Sequence, residues 1–301
     1  MPFKPDSSQP ATPGGVRVSV IIPTFNRAAM LAEALDSVLA QDFDAFELIV
    51  VDDGSTDSTG EVLDAYGDRL SVVRQENRGV SAARNRGVAA GHGQLIAFLD
   101  SDDLWRPGKL RAQAAYMDAH PELEICQTEE IWIRDGRRVN PRPRHRKAAG
   151  MFFDRSLELC LVSPSAVMLR RDFFNRMGGF DERLPACEDY DLWLRIGCRH
   201  PVGLIEDPLV VKRGGHPDQL SRRPGLDLYR IRAIAKLLDG GLLDAAQRRA
   251  ALRVLAAKCA IYAQGCRRRG REKEALDVEA LKVRYTQPQA AADSSDPILN
   301  F

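Results

Sequence analysis

Three aspartates directly follow an apolar segment of this 301-residue chain. The run Leu95–Leu99 is typical of a buried strand, and Asp100-Ser101-Asp102-Asp103 comes after it. Because unpaired anions are costly in a protein interior, we expect these carboxylates at the exit of the strand. Their oxygens suit a hard divalent cation that also bridges phosphates. An acidic turn before a helix that begins near Pro107 explains the pattern as well, so the segment alone leaves both interpretations open.

A second acidic turn, Asp52-Asp53-Gly54-Ser55, follows the apolar segment Phe46–Val51. Ligands of open α/β sheets bind at the carboxyl ends of the strands, so two parallel strands would bring both turns to one crevice. The Asp53 carboxylate suits the polar donors of a base or a ribose. A plain Asp-Gly turn is the alternative interpretation.

The segment Glu76–Gly87, between the two acidic turns, contains three arginines among small residues. Small residues allow a helix to pack closely on a sheet, and arginines bind diphosphates or balance carboxylates. A surface helix with solvated charges is the alternative, and it suits Arg78 and Arg86 better than Arg84.

Three further carboxylates, Glu188, Asp189 and Asp191, stand at the start of a predicted helix. The positive end of the helix dipole stabilises anions there, and an ordinary N-cap explains one of them. A general base needs a carboxylate within hydrogen-bond reach of a substrate hydroxyl. Asp189 and Glu188 both qualify, and the spacing does not choose between them.

The elements that must position these residues alternate between strand and helix from Val16 onward, which predicts a mostly parallel sheet covered on both faces. Strands are predicted at Val16–Ile22, Phe46–Val51, Leu70–Val73, Leu95–Leu99 and Ser165–Leu169. Asn26 is the predicted N-cap of the first helix, and Ser58 and Glu61 have the spacing of a capping box.

Other turn and helix signals lie in the second half. Asp135-Gly136 between Ile125–Arg134 and Arg137–Val139 predicts a hairpin. After Arg223 the chain becomes rich in Ala and Leu, and helices are predicted at Leu226–Leu238, Ala245–Gln264 and Lys273–Tyr285.

Composition narrows the function classes. A net charge of +1 argues against general nucleic-acid binding. No apolar run approaches the roughly 18 residues that span a bilayer. The six cysteines show no C-x-x-C spacing, which favours a reducing compartment over a disulfide framework or a zinc site. We therefore expect a cytoplasmic protein.

A basic segment, Arg134–Lys147, carries six arginines and one lysine against the single acid Asp135. Such a run is commonly a solvated surface. The functional alternative is contact with an anionic ligand, such as a lipid diphosphate, or peripheral contact with the anionic inner leaflet of a membrane. A second basic cluster, Arg267–Arg271, lies between the C-terminal helices.

Taken in order, these segments resemble the inverting family 2 glycosyltransferases with the GT-A fold. The resemblance covers residues 18–220 and leaves out the C-terminal helices. It rests on Ser19–Asn26, Val51–Asp57, Asn77-x-Gly79, Ala83-Arg84-Asn85, Phe98–Asp103, Gly178-Gly179-Phe180-Asp181 and Glu188-Asp189-x-Asp191-Leu192-Trp193-Leu194-Arg195.

The resemblance implies an α/β, nucleotide-diphospho-sugar transferase-like fold: a mixed, mostly parallel sheet flanked by helices, with a C-terminal helical extension. Residues 16–223 would form the catalytic domain, with a nucleotide-binding half (16–105) and an acceptor half (106–223). Residues 1–15 would be a disordered lead-in, 224–285 a helical region and 286–301 a tail.

The resemblance also assigns roles to single residues. The nucleoside end would be lined by Pro23, Thr24 and Phe25, with Asp53 on the base or ribose and Arg84 in the nucleotide pocket. Asp100 and Asp102 would bind the metal and the diphosphate, with Asp102 the stronger candidate for direct ligation and Asp103 near the donor sugar. Asp189 would be the catalytic base, with Glu188 its close neighbour and Asp191 structural. His216 would contact the diphosphate or the metal.

The implied reaction moves a sugar from a nucleotide-diphosphate donor to an acceptor hydroxyl with Mg²⁺ or Mn²⁺, in bacterial surface polysaccharide or lipid-linked glycan synthesis. UDP is the favoured nucleotide, and GDP and dTDP stay open. One alternative is a catalytically silent protein of the same fold that binds sugar nucleotides or serves in assembly. Another is a nucleotidyltransferase, which typically has a Gly-rich phosphate loop where this chain has Pro23–Arg27.

Overall fold

The computed structural model describes residues 15–215, 219 and 225–286. The chain divides into two compact units, of which the second begins at Gly225. All six cysteines are free thiols. Among the described residues, no helix has the length and apolar character needed to cross a membrane.

The first unit is a sheet with helices and short 3₁₀ turns between its strands. The strands are β1 (Val18–Thr24), β2 (Phe46–Asp52), β3 (Ser71–Arg74), β4 (Leu95–Phe98), β5 (Leu104–Trp105), β6 (Ile125–Arg134), β7 (Arg137–Val139), β8 (Val167–Arg170) and β9 (Gly203–Gly214). The helices are α1 (Ala28–Leu39), α2 (Thr59–Asp64), α3 (Val80–Ala90), α4 (Lys109–Ala119), α5 (Phe153–Glu158), α6 (Arg171–Arg176) and α7 (Glu188–Gly197). Gly67–Arg69, Pro143–His145 and Pro164–Ala166 form 3₁₀ turns.

The strand order is β3-β2-β1-β4-β8-β6-β9-β5, with β7 paired to β6. Strands β1 to β4 pair in parallel, whereas β8 is antiparallel to both β4 and β6, and β9 is parallel to β6. The carboxyl ends of β1, β2, β3, β4, β6 and β9 therefore lie at one edge of the sheet. The predicted mixed sheet is confirmed, and its antiparallel pairs all involve β5, β7 or β8.

Apolar side chains on both faces of the central strands explain why those strands read as continuous apolar runs. Val20 and Ile22 of β1 belong to a buried cluster with Leu35 of α1. Ile21, between them, belongs with Phe98 to a second cluster on the opposite face. Helices therefore cover both faces of the parallel half, and its ligand-binding edge is left at the strand ends.

The predicted N-cap at Asn26 is wrong, and the structure shows a different use for this side chain. Asn26 has a φ of 51°, and its Oδ1 accepts hydrogen bonds from the N–H groups of Thr56 (2.8 Å) and Asp57 (3.3 Å). The Asp57 carboxylate in turn accepts the N–H of Ala28, the first residue of α1, at 3.3 Å. The two loops thus satisfy each other's backbone groups and are held together at the sheet edge.

The predicted capping box at Ser58 is also wrong. The Ser58 side chain makes no cap hydrogen bond. Instead, Asp57 Oδ1 accepts both the N–H (3.0 Å) and the hydroxyl (2.5 Å) of Thr59. An anionic carboxylate one residue earlier is the stronger acceptor and takes this place.

The predicted hairpin is confirmed, since β6 and β7 pair across Asp135 and Gly136 with φ values of 50° and 71°. Two positive φ values are what a two-residue turn between twisted strands requires. Strand β9 was not predicted, because Glu206, Asp207 and Pro208 interrupt its apolar pattern. The first part of the predicted strand Ser165–Leu169 belongs to a 3₁₀ turn, and β8 begins at Val167.

The second unit contains the helices α8 (Leu226–Asp239), α9 (Ala245–Arg267) and α10 (Glu272–Thr286), close to their predicted limits. A capping box starts α9. The Asp244 carboxylate accepts the N–H groups of Ala246 and Gln247 at 2.8 Å, and Gln247 Oε1 accepts the N–H of Asp244 at 3.1 Å.

The Lys109 side chain is fully buried in the first unit. Its ammonium lies 3.9 Å from the centroid of the Trp105 ring and donates a hydrogen bond to Gln113. Burial lowers the pKa of Lys109 from 10.5 to about 7. Between these values the unfolded state binds more protons than the folded state, so this lysine makes the free energy of unfolding rise with pH.

Lys109→Met is expected to raise the free energy of unfolding at about pH 7, because it removes a buried amine and keeps the chain length. The advantage over the wild type should shrink by about 1.4 kcal/mol per pH unit as the pH rises toward 10.5. Urea denaturation at about pH 7 and about pH 9.5 measures it. Lys273→Met, at an exposed position of α10, is the control. An advantage of equal size at both pH values would contradict the lowered pKa of Lys109.

Candidate functional site

The acidic loop after β4 brings three carboxylates together. One carboxylate oxygen from each of Asp100, Asp102 and Asp103 lies within 4.8 Å of the others. The loop leaves the sheet at the edge where the parallel strands end. It is stabilised by a turn in which the Asp103 N–H donates to the Asp100 carbonyl at 2.9 Å.

Asp103 faces the protein interior. Its Oδ2 accepts the hydroxyl of Ser165 at 2.7 Å, and its Oδ1 accepts the N–H of Arg213 at 2.9 Å. Burial raises the pKa of Asp103, the nearby Lys212 opposes this, and the charges of Asp102 and Asp100 add to it. Asp103 thus anchors the loop, while the other two carboxylates are only partly buried.

Arg84 connects the acidic loop with the start of α7. Its guanidinium is 4% exposed and donates at 2.6 Å to Asp100 Oδ1 and at 2.6 Å to Glu188 Oε1. It also lies 5.1 Å from the centroid of the Phe180 ring. Burial by itself lowers the pKa of Arg84, but the charges of Asp100 and Glu188 outweigh it and raise the pKa above its usual value. Arg84 therefore stays protonated. Its Nε is buried without a hydrogen-bond partner among the described residues.

Glu188 and Asp189 therefore differ in their surroundings. Glu188 is buried and bonded by Arg84, and burial raises its pKa while Arg84 opposes this. Asp189 is half-buried, and its Oδ1 accepts the N–H of Tyr190 at 2.7 Å. The Cys160 thiol lies 3.5 Å from Asp189 Oδ2. Burial and the Asp189 charge raise the pKa of this thiol well above its usual range. The thiol therefore stays protonated and can donate a hydrogen bond to Asp189.

Asp191, in the first turn of α7, forms an ion pair with Arg195. Its carboxylate accepts a hydrogen bond from Arg195 at 2.9 Å, and both side chains are nearly buried. Arg195 also donates to the carbonyls of Met177 and Gly179. Asp191 thus holds the turn that precedes Phe180, whose ring lies against Arg84.

The residues expected at the nucleoside end lie where β1 and β2 finish. Pro23 and Thr24 are buried, and Phe25 is 44% exposed at the edge of the sheet. The Thr24 hydroxyl is buried and has no hydrogen-bond partner among the described residues. An exposed aromatic ring beside an unsatisfied hydroxyl is a surface on which a base could stack.

Asp53 is buried and holds the loop before α3 in place. It accepts the N–H groups of Arg78 (2.9 Å) and Gly79 (2.8 Å) and the side-chain amide of Gln75 (2.7 Å). A carboxylate has about four acceptor sites, so one is left for a ligand donor. The neighbouring Gly54 has a φ of 82°, and a Cβ there would lie 2.9 Å from the backbone nitrogen of the approaching loop.

The basic segment Arg134–Lys147 divides into two parts. Its six arginines are exposed, as expected for a solvated run, and none forms an ion pair with another described residue. Lys147 departs from that expectation, because it is buried and lies 3.0 Å from Glu130 on β6. Burial by itself raises the pKa of Glu130, but Lys147 and Lys212 outweigh this effect and lower the pKa to about 2. This pair fixes the basic segment against the sheet.

Sequence reasoning missed Lys212 and Ser165. Lys212 lies on β9, and Ser165 donates to Asp103 while it accepts the N–H of Asp100 at 3.1 Å. A possible signal for Lys212 was the apolar run Pro208–Val211, which ends in two basic residues as other strands here end in acids. Nothing in the sequence near Ser165 pointed to the acidic loop.

The donor set fits a divalent cation held by Asp102 and Asp100. Carboxylate oxygens are hard ligands, and Mg²⁺ or Mn²⁺ is commonly held by one or two of them together with substrate phosphates. Burial is the main cause of the raised pKa of Asp103, and repulsion from Asp102 and Asp100 adds to it. A cation bound by these carboxylates would relieve that repulsion. His216 lies outside the described residues.

Comparisons with known proteins agree with this geometry. The family model described as glycosyl transferase family 2 matches residues 19–178, just over half of the chain. The succinoglycan biosynthesis protein ExoU of Rhizobium meliloti is 35% identical over 206 residues, which cover 62% of this chain and 59% of that protein. The chain spans only 31–58% of the length of the uncharacterised Rickettsia glycosyltransferases that it also matches.

Two solved structures share the fold. TarS residues 1–349 of S. aureus, in complex with UDP-GlcNAc, superposes with a TM-score of 0.74 at 20% identity, covering 90% of this chain and 82% of that one. The mannosyltransferase PcManGT of Pyrobaculum calidifontis, in complex with GDP-Man and Mn²⁺, gives 0.53 at 20% identity, covering 90% and 88%. With a GT-A fold and a family match over the half that carries both acidic turns, the chain belongs to glycosyl transferase family 2.

Proposed function

We propose that this protein is an inverting glycosyltransferase that moves a sugar from a nucleotide-diphosphate donor, with UDP favoured, to an acceptor hydroxyl. The observation that carries the proposal is the double ion pair of Arg84. It joins Asp100, in the acidic loop, to Glu188, the neighbour of Asp189. A candidate site for a leaving diphosphate and a candidate base thus lie on either side of one buried guanidinium.

In the proposed reaction Asp189 accepts the proton of the acceptor hydroxyl while that oxygen attacks the anomeric carbon from the face opposite the leaving group. The bond between this carbon and the diphosphate oxygen breaks, and its electron pair leaves with the diphosphate. A divalent cation bound by Asp102 and Asp100 would stabilise the negative charge of the leaving group. Asp189 suits the role of base better than Glu188, because Arg84 already binds the Glu188 carboxylate.

The donor class is supported by the UDP-GlcNAc complex of TarS and the GDP-Man complex of PcManGT. A role in bacterial surface polysaccharide or lipid-linked glycan synthesis is supported by the succinoglycan relative.

The acceptor side is proposed to include what we call the arginine surface: Arg134, Arg137, Arg138, Arg142, Arg144 and Arg146. Strand β6, which ends at Arg134, extends well beyond the end of β4. Ala97 and Cys126 both pair with Met168, yet β4 ends at Phe98 whereas β6 runs on to Arg134. At about 3.3 Å per residue the overhang is roughly 20 Å.

Internal contacts hold this overhang in place, so its arginines face outward. The rings of Trp132 and His145 lie 5.3 Å apart at 71°, and Arg155 donates to the carbonyl of Arg146 at 2.7 Å. Burial, Arg144 and Arg142 all lower the pKa of His145. The unpaired positive charge suits a phosphate-bearing acceptor or an anionic leaflet.

The proposed function is tested by calorimetric titration of UDP, GDP and dTDP, each with Mn²⁺ and with EDTA. One nucleotide is expected to bind far more tightly with Mn²⁺, and Asp102→Ala should remove this difference. Asp207→Ala, at an exposed position of β9, is the control. If the folded protein binds none of the three nucleotides, the silent assembly protein becomes the better interpretation.

Replacing Arg142, Arg144 and Arg146 together by Gln is expected to weaken binding to anionic liposomes by up to about 100-fold, since each basic residue near the surface contributes about 1 kcal/mol. Co-sedimentation with anionic and with zwitterionic vesicles measures it. Replacing Arg69, Arg74 and Arg111, which are exposed at other places, is the charge-matched control. Equal co-sedimentation of both triple variants would remove membrane contact from the proposal.

A further inference from the structure

Lys212 lies on β9, between β6, which carries Glu130, and β5, which follows the acidic loop. On one side it pairs with Trp132 of β6. On the other side Val211 pairs with Leu104 of the antiparallel β5. The same register, continued by one residue, places Asp103 opposite Lys212. The backbone N–H of the next residue, Arg213, donates to Asp103 Oδ1 at 2.9 Å.

Four carboxylates from three separate elements act on this ammonium. Asp100 and Asp103 come from the loop after β4, Glu130 from β6 and Asp189 from the start of α7. Burial opposes their effect, but together they raise the pKa of Lys212 above its usual value. The group is therefore charged throughout the physiological range.

The carboxylates do not depend on Lys212 for their close contacts. Glu130 has Lys147 at 3.0 Å and bonds to Ser163 and Trp132. Asp103 is bonded by Ser165 and Arg213. No hydrogen bond or ion pair joins the side-chain ammonium of Lys212 to another described residue, although the charges of four carboxylates act on it. An ammonium with three donors is thus held beside the acidic loop with capacity for an anionic ligand.

We propose that Lys212 binds the β-phosphate of the donor and stabilises the diphosphate as it leaves, as a second positive centre beside the cation site. The inference rests on the proposed function. The bond between the anomeric carbon and the β-phosphate oxygen breaks, its electron pair goes to that oxygen, and Lys212 keeps its proton. A fixed positive charge aimed at a developing anion needs no reorganisation during the reaction.

The test compares nucleotides that differ by one phosphate. UDP and UMP are titrated calorimetrically, with Mn²⁺ and with EDTA, into the wild type, Lys212→Gln and Lys212→Arg; if the wild type prefers GDP or dTDP, that nucleotide and its monophosphate are used. Lys212→Gln should weaken diphosphate binding by about 10- to 100-fold, as for a lost hydrogen bond to a charged group. Monophosphate binding should stay within about twofold, and Lys212→Arg should restore most of the affinity.

Lys147→Gln is the matched control, because it removes a positive charge from Glu130 and none from the acidic loop. It should lower the melting temperature and leave diphosphate affinity unchanged. Lys212→Met is a second neutral variant in case Lys212→Gln fails to fold.

Two results would overturn the proposal alone: diphosphate affinity equal to that of the wild type, or an equal loss for diphosphate and monophosphate. A wild type that binds no nucleoside diphosphate would overturn the proposed function as well.

Discussion

Asp189→Asn is expected to reduce sugar transfer by about 10²- to 10⁴-fold, the usual contribution of a general base. The amide keeps the size of the carboxylate and can still accept the Tyr190 N–H, but it cannot take a proton from the acceptor hydroxyl. Nucleotide binding should stay nearly intact, because Asp189 lies on α7, whereas the expected donor contacts lie at the strand ends and, for Arg84, on α3. Turnover and nucleotide affinity are measured on the same preparation.

Asp207→Asn is the matched control, since it removes one exposed carboxylate from the same unit. Glu188→Gln completes the set, because Glu188 is the neighbouring acid that sequence spacing could not exclude. Full turnover in Asp189→Asn would show that another group is the base.

Arg84→Met is expected to lower the free energy of unfolding by about 3–5 kcal/mol, the usual cost of leaving buried charges without their partner. Glu188 is the main cause, since its side chain is 6% exposed, whereas Asp100 is 26% exposed and can be hydrated. Transfer should be lost too, because the acidic loop and the start of α7 lose their common partner. Chemical denaturation and turnover are the measurements.

A second arginine offers a close control. Arg78 also pairs with a carboxylate from the segment before α7, Glu182 at 3.0 Å, but its side chain is 64% exposed. Arg78→Met should therefore cost about 1 kcal/mol or less. Adding Glu188→Gln to Arg84→Met should recover stability without recovering transfer. If Arg78→Met and Arg84→Met lower the free energy of unfolding equally, the buried double ion pair contributes no more to stability than the exposed pair.

Much of the fold was predictable from local pattern. The strands that precede Asp53 and Asp100 are apolar on both faces, which is typical of a parallel sheet covered by helices on both sides. Their carboxyl ends must then share one edge, so both acidic turns had to lie together there. The hairpin at Asp135-Gly136 and the C-terminal helices follow from turn chemistry and helical periodicity in the same way.

Failures of prediction came where a residue's partner is distant in sequence. Asn26 looked like a helix cap, but its acceptor oxygen binds N–H groups about thirty residues further along the chain. Lys147 looked like part of a solvated run, but Glu130 holds it in the interior. Strand β9 was hidden by its acidic and proline interruption, and with it Lys212 was missed.

By itself, then, the sequence determined that carboxylates of suitable type stand at the ends of parallel strands and at the start of a helix. Burial and ion pairing are properties of the packed chain, so only the tertiary structure decided which of these carboxylates keep room for a ligand. Arg84 engages the buried Glu188, so Asp189 is the better candidate base. Ser165 and Arg213 bind the buried Asp103, whereas Asp100, which also pairs with Arg84, and Asp102 are only partly buried. The antiparallel pairing of β5 with β9 then brings Lys212, more than 100 residues away in sequence, beside the acidic loop.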